Sequence, residues 1–173
     1  MLIVNIATLV EGFITDLILS EIEANPNASK LTFEELGSLT TTAGWTSKVR
    51  FFYKVFSLRI EDIDSSKAID NLFRLRNNIA HGRSFTEVVI YKGEKNHEKV
   101  IENTNYQNVI KYLTSVGKYE NRPDTIKSSV FWDLNVVCYF HLKSHEFLFK
   151  ILNTVSFVQK AEFEKLLKEA YKF

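Results

Sequence analysis

Residues 74–85 read RLRNNIAHGRSF, and several of them have side chains suited to work on an anion. His81 carries an imidazole whose ordinary pKa lies near neutrality, so it can accept or give a proton at physiological pH. Arg76 presents a planar fork of N–H donors that fits the oxygens of a phosphate, or of a phosphorane carrying extra negative charge. Asn77 stands next to Arg76 in the chain and can orient a hydroxyl or the imidazole. Arg74 and Arg83 flank this set. With Lys54 they can supply a basic rim that draws in a polyanion.

Each of these residues has a plainer reading. A histidine at the C-terminal end of a helix is stabilised by the helix dipole without any chemistry, and Gly82 stands where a C-cap glycine belongs. An arginine on a helix can pack its stem and leave its head in water. Arg76 makes that harder. On a wheel of about 100° per residue, Ile69, Leu72, Phe73, Ile79 and Ala80 gather on one side and Arg76 falls near their centre. An unpaired guanidinium there is costly. Arg76 is therefore expected to be mostly buried and paired, either with Glu11, which interrupts the apolar run of the first helix in the same manner, or within a groove between subunits.

The segment RNNIAHG resembles the signature of the HEPN superfamily: an Arg, usually followed by a polar residue, then a His four to six residues after the Arg. Arg76, Asn77 and His81 fill those places, at the end of a helix with apolar flanks and a following glycine. The resemblance is specific over residues 69 to 83. It implies a helical bundle that dimerises, so that two motifs share one cleft. It also implies a metal-independent ribonuclease of the kind found in toxin–antitoxin, antiphage and RNA-processing systems. An antitoxin or another protein partner belongs to the same picture. A dimer cleft or a distorted last turn would bring together Arg76 and His81, which a straight helix holds about 140° apart.

The chemistry follows from the side chains. RNA brings its own nucleophile, the 2′-hydroxyl; His81 would move its proton and Arg76 would hold the phosphorane. The product would carry a 2′,3′-cyclic phosphate, with no metal and no cofactor. Motif residues also occur in non-catalytic modules that bind RNA, a nucleotide or a protein, which is the rival reading. In the branch paired with nucleotidyltransferases a tyrosine stands two residues after the motif histidine. Here that residue is Arg83, so that regulatory scheme is not implied.

Other constellations are weaker. HLKSH puts His141 and His145 one turn apart, a metal-ligand spacing without a convincing third ligand. The carboxylates Glu61, Asp62 and Asp64 lack the central glycine and the closing glutamate of a calcium loop. They read better as negative charge at a helix N-terminus. WTSKVRFFYK mixes aromatic and basic residues as an RNA-stacking surface would, but its aromatics are better read as core.

The elements that must position these groups are helical. Ile3, Ile6, Val10, Phe13, Leu17 and Ile18 recur at helical spacing, which predicts a core helix from about 2 to 24, ended by Pro26. Thr32 and Glu35 form a capping-box pattern for a short helix ending near Gly37. Helices follow over about 45–56, 66–81, 106–117, 125–153 and near the end of the chain. The helix over 125–153 is apolar almost all round, which calls for burial in the domain or at an oligomer interface. Val88 to Tyr91, the turn KGEKN and the return KVIENT predict a small β-hairpin near residues 86–104. The class is all-α, a HEPN-like bundle with one inserted hairpin, and residues 1–173 form a single domain.

Bulk properties agree. The 173 residues are 45% hydrophobic and 25% charged, ordinary for a globular chain. Only six glycines and two prolines leave little turn chemistry for a many-stranded sheet. A net charge of +1 neither advertises nor excludes nucleic acid, since a local patch suffices. Cys138 alone cannot form an internal disulfide, which points to the cytoplasm. The apolar start has no basic leader region and is interrupted by Glu11 and Asp16, so neither a signal peptide nor a membrane span is expected.

Overall fold

The computed structural model describes residues 2–26, 30–80, 88–90, 99–101, 104–120, 130, 133–156 and 159–171. Seven α-helices account for most of them: α1 (Leu2–Ala24), α2 (Phe33–Thr41), α3 (Trp45–Phe56), α4 (Ser66–Ala80), α5 (Thr104–Ser115), α6 (Leu134–Thr154) and α7 (Lys160–Ala170). The chain belongs to the all-α class. Of the region expected as a hairpin, two three-residue segments are described, β1 (Val88–Ile90) and β2 (Lys99–Ile101). They pair antiparallel with Val89 opposite Val100. Residues 91–98, where the turn was expected, lie outside the described residues, as do 86, 87, 102 and 103.

α1 is the centre of the packing. Ile3, Ala7, Val10, Ile14 and Leu17 recur every three or four residues and, with Ile18, are all buried. They face α3, α4 and α6 together. Each such valine, leucine or isoleucine side chain, taken out of water, stabilises by about 1.5–3 kcal/mol. Length and composition alone would let α1 cross a membrane; here its apolar face is core. Phe13 lies at the edge of this face, partly buried and edge-on to Phe163 of α7 at 5.2 Å. α4 contributes Ile69, Leu72, Phe73 and Leu75, and α6 contributes Phe140, Phe147, Leu148, Ile151 and Leu152.

Two boundaries differ from the sequence reading. α2 begins at the expected capping box: Glu35 N–H donates to Thr32 Oγ1 at 3.2 Å and Thr32 N–H donates to Glu35 Oε2 at 3.1 Å. It does not stop at Gly37 but continues to Thr41. The extra turn buries Leu39, and the hydroxyls of Thr40 and Thr41 donate to the Gly37 carbonyl. α6 starts at Leu134 rather than near 125, because Asp133 caps it by accepting the N–H groups of Asn135 and Val136. Nor is α6 buried all round. Leu134, Cys138, Leu142 and Phe149 are exposed and fall within about 80° of one another on the helix.

The acidic stretch before α4 caps less than its charge suggests. Ile60–Asp62 forms a 3-10 turn, and Asp64 Oδ2 accepts from Lys150 Nζ of α6 at 2.9 Å. That hydrogen bond, with the ammonium charge, holds the Asp64 carboxyl below the usual range. Among the described residues no cluster of three His, Cys, Asp or Glu side chains could hold a metal ion.

Candidate functional site

α4 carries Arg76 and Asn77 of the motif, and its two faces serve different neighbours. The face of Arg76 looks toward α1. Arg76 Nη2 lies 3.4 Å from Glu11 Oε2, and its Nη1 donates to Asn77 Oδ1 at 3.0 Å. The Arg76 side chain is 31% exposed and the Glu11 side chain 15% exposed, so both are largely out of water and paired. Arg76 Nε is buried and meets no acceptor among the described residues. Glu11 also faces a second cation: Lys48 Nζ of α3 stands 3.6 Å from Oε1. Lys48 Nζ donates to Thr15 Oγ1 at 2.8 Å, and that hydroxyl donates back to the Glu11 carbonyl at 2.8 Å. One carboxylate thus joins α1, α3 and α4. This explains how an arginine sits on an apolar stripe.

Arg76 keeps donors to spare. A guanidinium has five N–H groups. Glu11 and Asn77 take one each, which leaves Nη hydrogens without an acceptor among the described residues. Asn77 itself is exposed. Its neighbour Asn78 is buried and donates to the Arg74 carbonyl at 2.9 Å, so Asn78 belongs to the scaffold. His81 follows Ala80 directly in the chain. Both His81 and Arg83 lie outside the described residues.

Of the expected basic rim, Arg74 and Lys54 have different settings, and Arg83 lies outside the described residues. Arg74 is exposed on the opposite side of α4 from Arg76, where it lines an open groove of about 470 Å³ shared with α5. Lys54 is elsewhere. Its Nζ donates to both carboxylate oxygens of Glu35 at 2.7 Å, and Arg50 Nη2 lies 3.8 Å from the same group. That hydrogen bond, with the Thr32 N–H, pulls the Glu35 carboxyl below its ordinary range. Lys54 therefore ties α3 to the cap of α2, and it is not part of the α4–α5 groove.

Residues that sequence reasoning did not single out complete both faces. Lys48 shares the Glu11 carboxylate. Lys67, Asn71, Asn108, Lys111 and Tyr112 line the groove beside Arg74. The two histidines of HLKSH have a structural setting: His141 and His145 ring centroids lie 4.7 and 4.9 Å from that of Tyr171, whose hydroxyl bonds Ser144 at 2.6 Å. Burial, aided by His145, holds the His141 pKa below its usual value. This cluster closes α7 onto α6. The chain matches no family model, no curated protein and no solved structure.

Proposed function

We propose that this chain is a HEPN-like, metal-independent endoribonuclease, built as one domain with a small inserted hairpin and working as a homodimer in the cytoplasm. The observation that carries the reading is the state of Arg76. A partly buried guanidinium, held by Glu11 and Asn77 with Nη donors left over among the described residues, sits on the helix that ends one residue before His81 in the chain. Such a group is pre-oriented for a phosphate and loses little freedom on binding it. In the proposed reaction His81 takes the proton of a 2′-hydroxyl, and the 2′-oxygen attacks the adjacent phosphorus. Arg76 holds the non-bridging oxygens while charge builds on them. The 5′-oxygen leaves and takes up a proton, and a 2′,3′-cyclic phosphate remains. Two protomers would supply two copies of His81, one as base and one as acid. A toxin or antiphage effector, restrained by an antitoxin or another protein, is the biological role that fits such an activity.

The test is incubation of the purified protein with labelled tRNA and total RNA in EDTA, beside a His81→Ala variant. Wild type should cleave despite chelation and leave cyclic ends, and DNA of the same sequence should stay intact because it lacks the nucleophile. The variant should bind RNA without cutting it. A His81→Ala protein as active as wild type, or cleavage that needs magnesium, would sink the proposal.

A second reading has an observation of its own. Arg76 is also a member of an ion cluster with Glu11 and Lys48, which is a sufficient structural reason for its place. On that reading the chain is a non-catalytic HEPN-like module that binds RNA, a nucleotide or a protein partner. Chelation-resistant cleavage lost in His81→Ala separates the two.

A further inference from the structure

We propose that the groove between α4 and α5 is a track for the phosphodiester backbone of single-stranded RNA, with Lys67, Arg74 and Lys111 on successive phosphates. The identity of the polyanion rests on the ribonuclease reading; the groove itself does not. Its cations come from two helices and converge on one open space of about 470 Å³. Among the described residues none of the three has a carboxylate within 4.0 Å, whereas Lys48, Arg50 and Lys54 of α3 and Arg76 of α4 all do. Cations left unneutralised side by side repel one another, and a bound polyanion relieves that repulsion.

The rest of the lining is consistent with an anion. One carboxylate, Asp70, also lines the groove, and its Oδ1 accepts from Trp45 Nε1 of α3 at 2.9 Å; that neutral donor cancels no charge, but three cations outnumber it. Tyr112 brings no negative charge. Burial and its hydrogen bond to the Tyr139 hydroxyl push its pKa up, so the phenol stays neutral. Its ring underlies Lys67, with Nζ 5.9 Å from the centroid. Asn71 and Asn108 add amides able to bond sugar or phosphate oxygens.

The shape argues for a strand. Lys67 and Arg74 are two turns apart, about 10 Å along the axis of α4, which suits several phosphates better than one. A charged groove that follows a backbone is the usual solution for single strands, whereas duplex RNA is read across its broad minor groove. The groove runs along α4 on the face opposite Arg76, and α4 ends at Ala80. A strand lying in it would follow that helix toward its C-terminal end.

Binding is to be measured by fluorescence anisotropy, with a labelled 2′-O-methyl oligouridine 12-mer in EDTA between 50 and 200 mM salt. This probe has no attacking hydroxyl and survives any nuclease. The triple variant Lys67→Gln, Arg74→Gln, Lys111→Gln alters exposed side chains and should keep its circular dichroism and melting temperature. It should bind at least tenfold more weakly, and its log–log salt slope should be shallower by about 2, at roughly 0.7 per lost phosphate contact. Unchanged affinity and slope in the triple variant overturn the proposal. So does a wild type that does not bind. Equal competition by UMP would make the groove a mononucleotide pocket, and equal competition by polyglutamate would make it a dock for an acidic protein; either result also overturns it. Failure of the ribonuclease reading is seen separately, as intact ordinary RNA in EDTA while this binding persists.

Discussion

At the scale of single residues, the meeting of Arg76, Glu11 and Lys48 decides the most. Removing one member of a fully buried ion pair costs about 3–5 kcal/mol. Arg76 is partly exposed, and Lys48 would still neutralise Glu11, so Arg76→Ala should cost about 1–2 kcal/mol in urea unfolding, below that range. In a double-mutant cycle with Glu11→Gln the two changes should couple by about 1 kcal/mol. Additivity would show that the contact carries no energy. Arg76→Ala should also weaken RNA binding and cleavage together, unlike His81→Ala, which should spare binding. The pair was legible in the sequence because two charges each broke an apolar run, and burial makes such charges seek each other. Lys48 was not legible. Its place beside Glu11 depends on which face of α3 meets α1, and nothing local to WTSKV states that.

At the scale of elements, helix starts were readable where a side chain caps them, and misread where apolar content was followed instead. Thr32 and Glu35 announced α2. Asp133 equally announces α6, but the break at Pro123 and the apolar Val130 and Phe131 drew the expected start back to about 125. The α4–α5 groove was invisible for a different reason. Arg74 was on view, but Lys111 becomes its neighbour only through the packing of two helices separated by the strands. The Glu35 junction gives a pH prediction. Its folded pKa is depressed, chiefly by the Lys54 hydrogen bond and then by the Thr32 N–H. The folded state therefore binds fewer protons there than the unfolded chain. Stability from this group should be complete above the ordinary glutamate pKa of about 4.3 and lost as pH falls through the lower folded value. Urea midpoints between pH 6 and pH 3 should fall less steeply in Glu35→Gln than in wild type, and that variant should already be weaker at pH 6 because the charged cap is gone.

At the scale of the whole molecule, the helical core leaves one face of α6 uncovered. Leu134, Cys138, Leu142 and Phe149 are exposed along a single stripe, a place for a second copy of the chain in the proposed dimer. Light scattering at micromolar concentration should report a dimer. Leu142→Glu with Phe149→Glu should give a folded monomer with much reduced cleavage, because each motif would lose its partner. A wild type that scatters as a monomer, or a double variant that remains dimeric, would remove α6 from the interface.

The central position of α1 also has a consequence in time. Its apolar face is covered by α3, α4 and α6, yet it leaves the ribosome first among them. At about 5–20 residues per second, the interval between Ala24 and Thr154 is on the order of ten seconds. Throughout it, Ile3, Val10, Ile14 and Leu17 lack part of their final cover. A nascent chain stalled before α6 should therefore be held by chaperones and cut readily by protease, and release of the stalled segment through Thr154 should end both. Synthesis rate, as well as sequence, would then set the yield of folded protein.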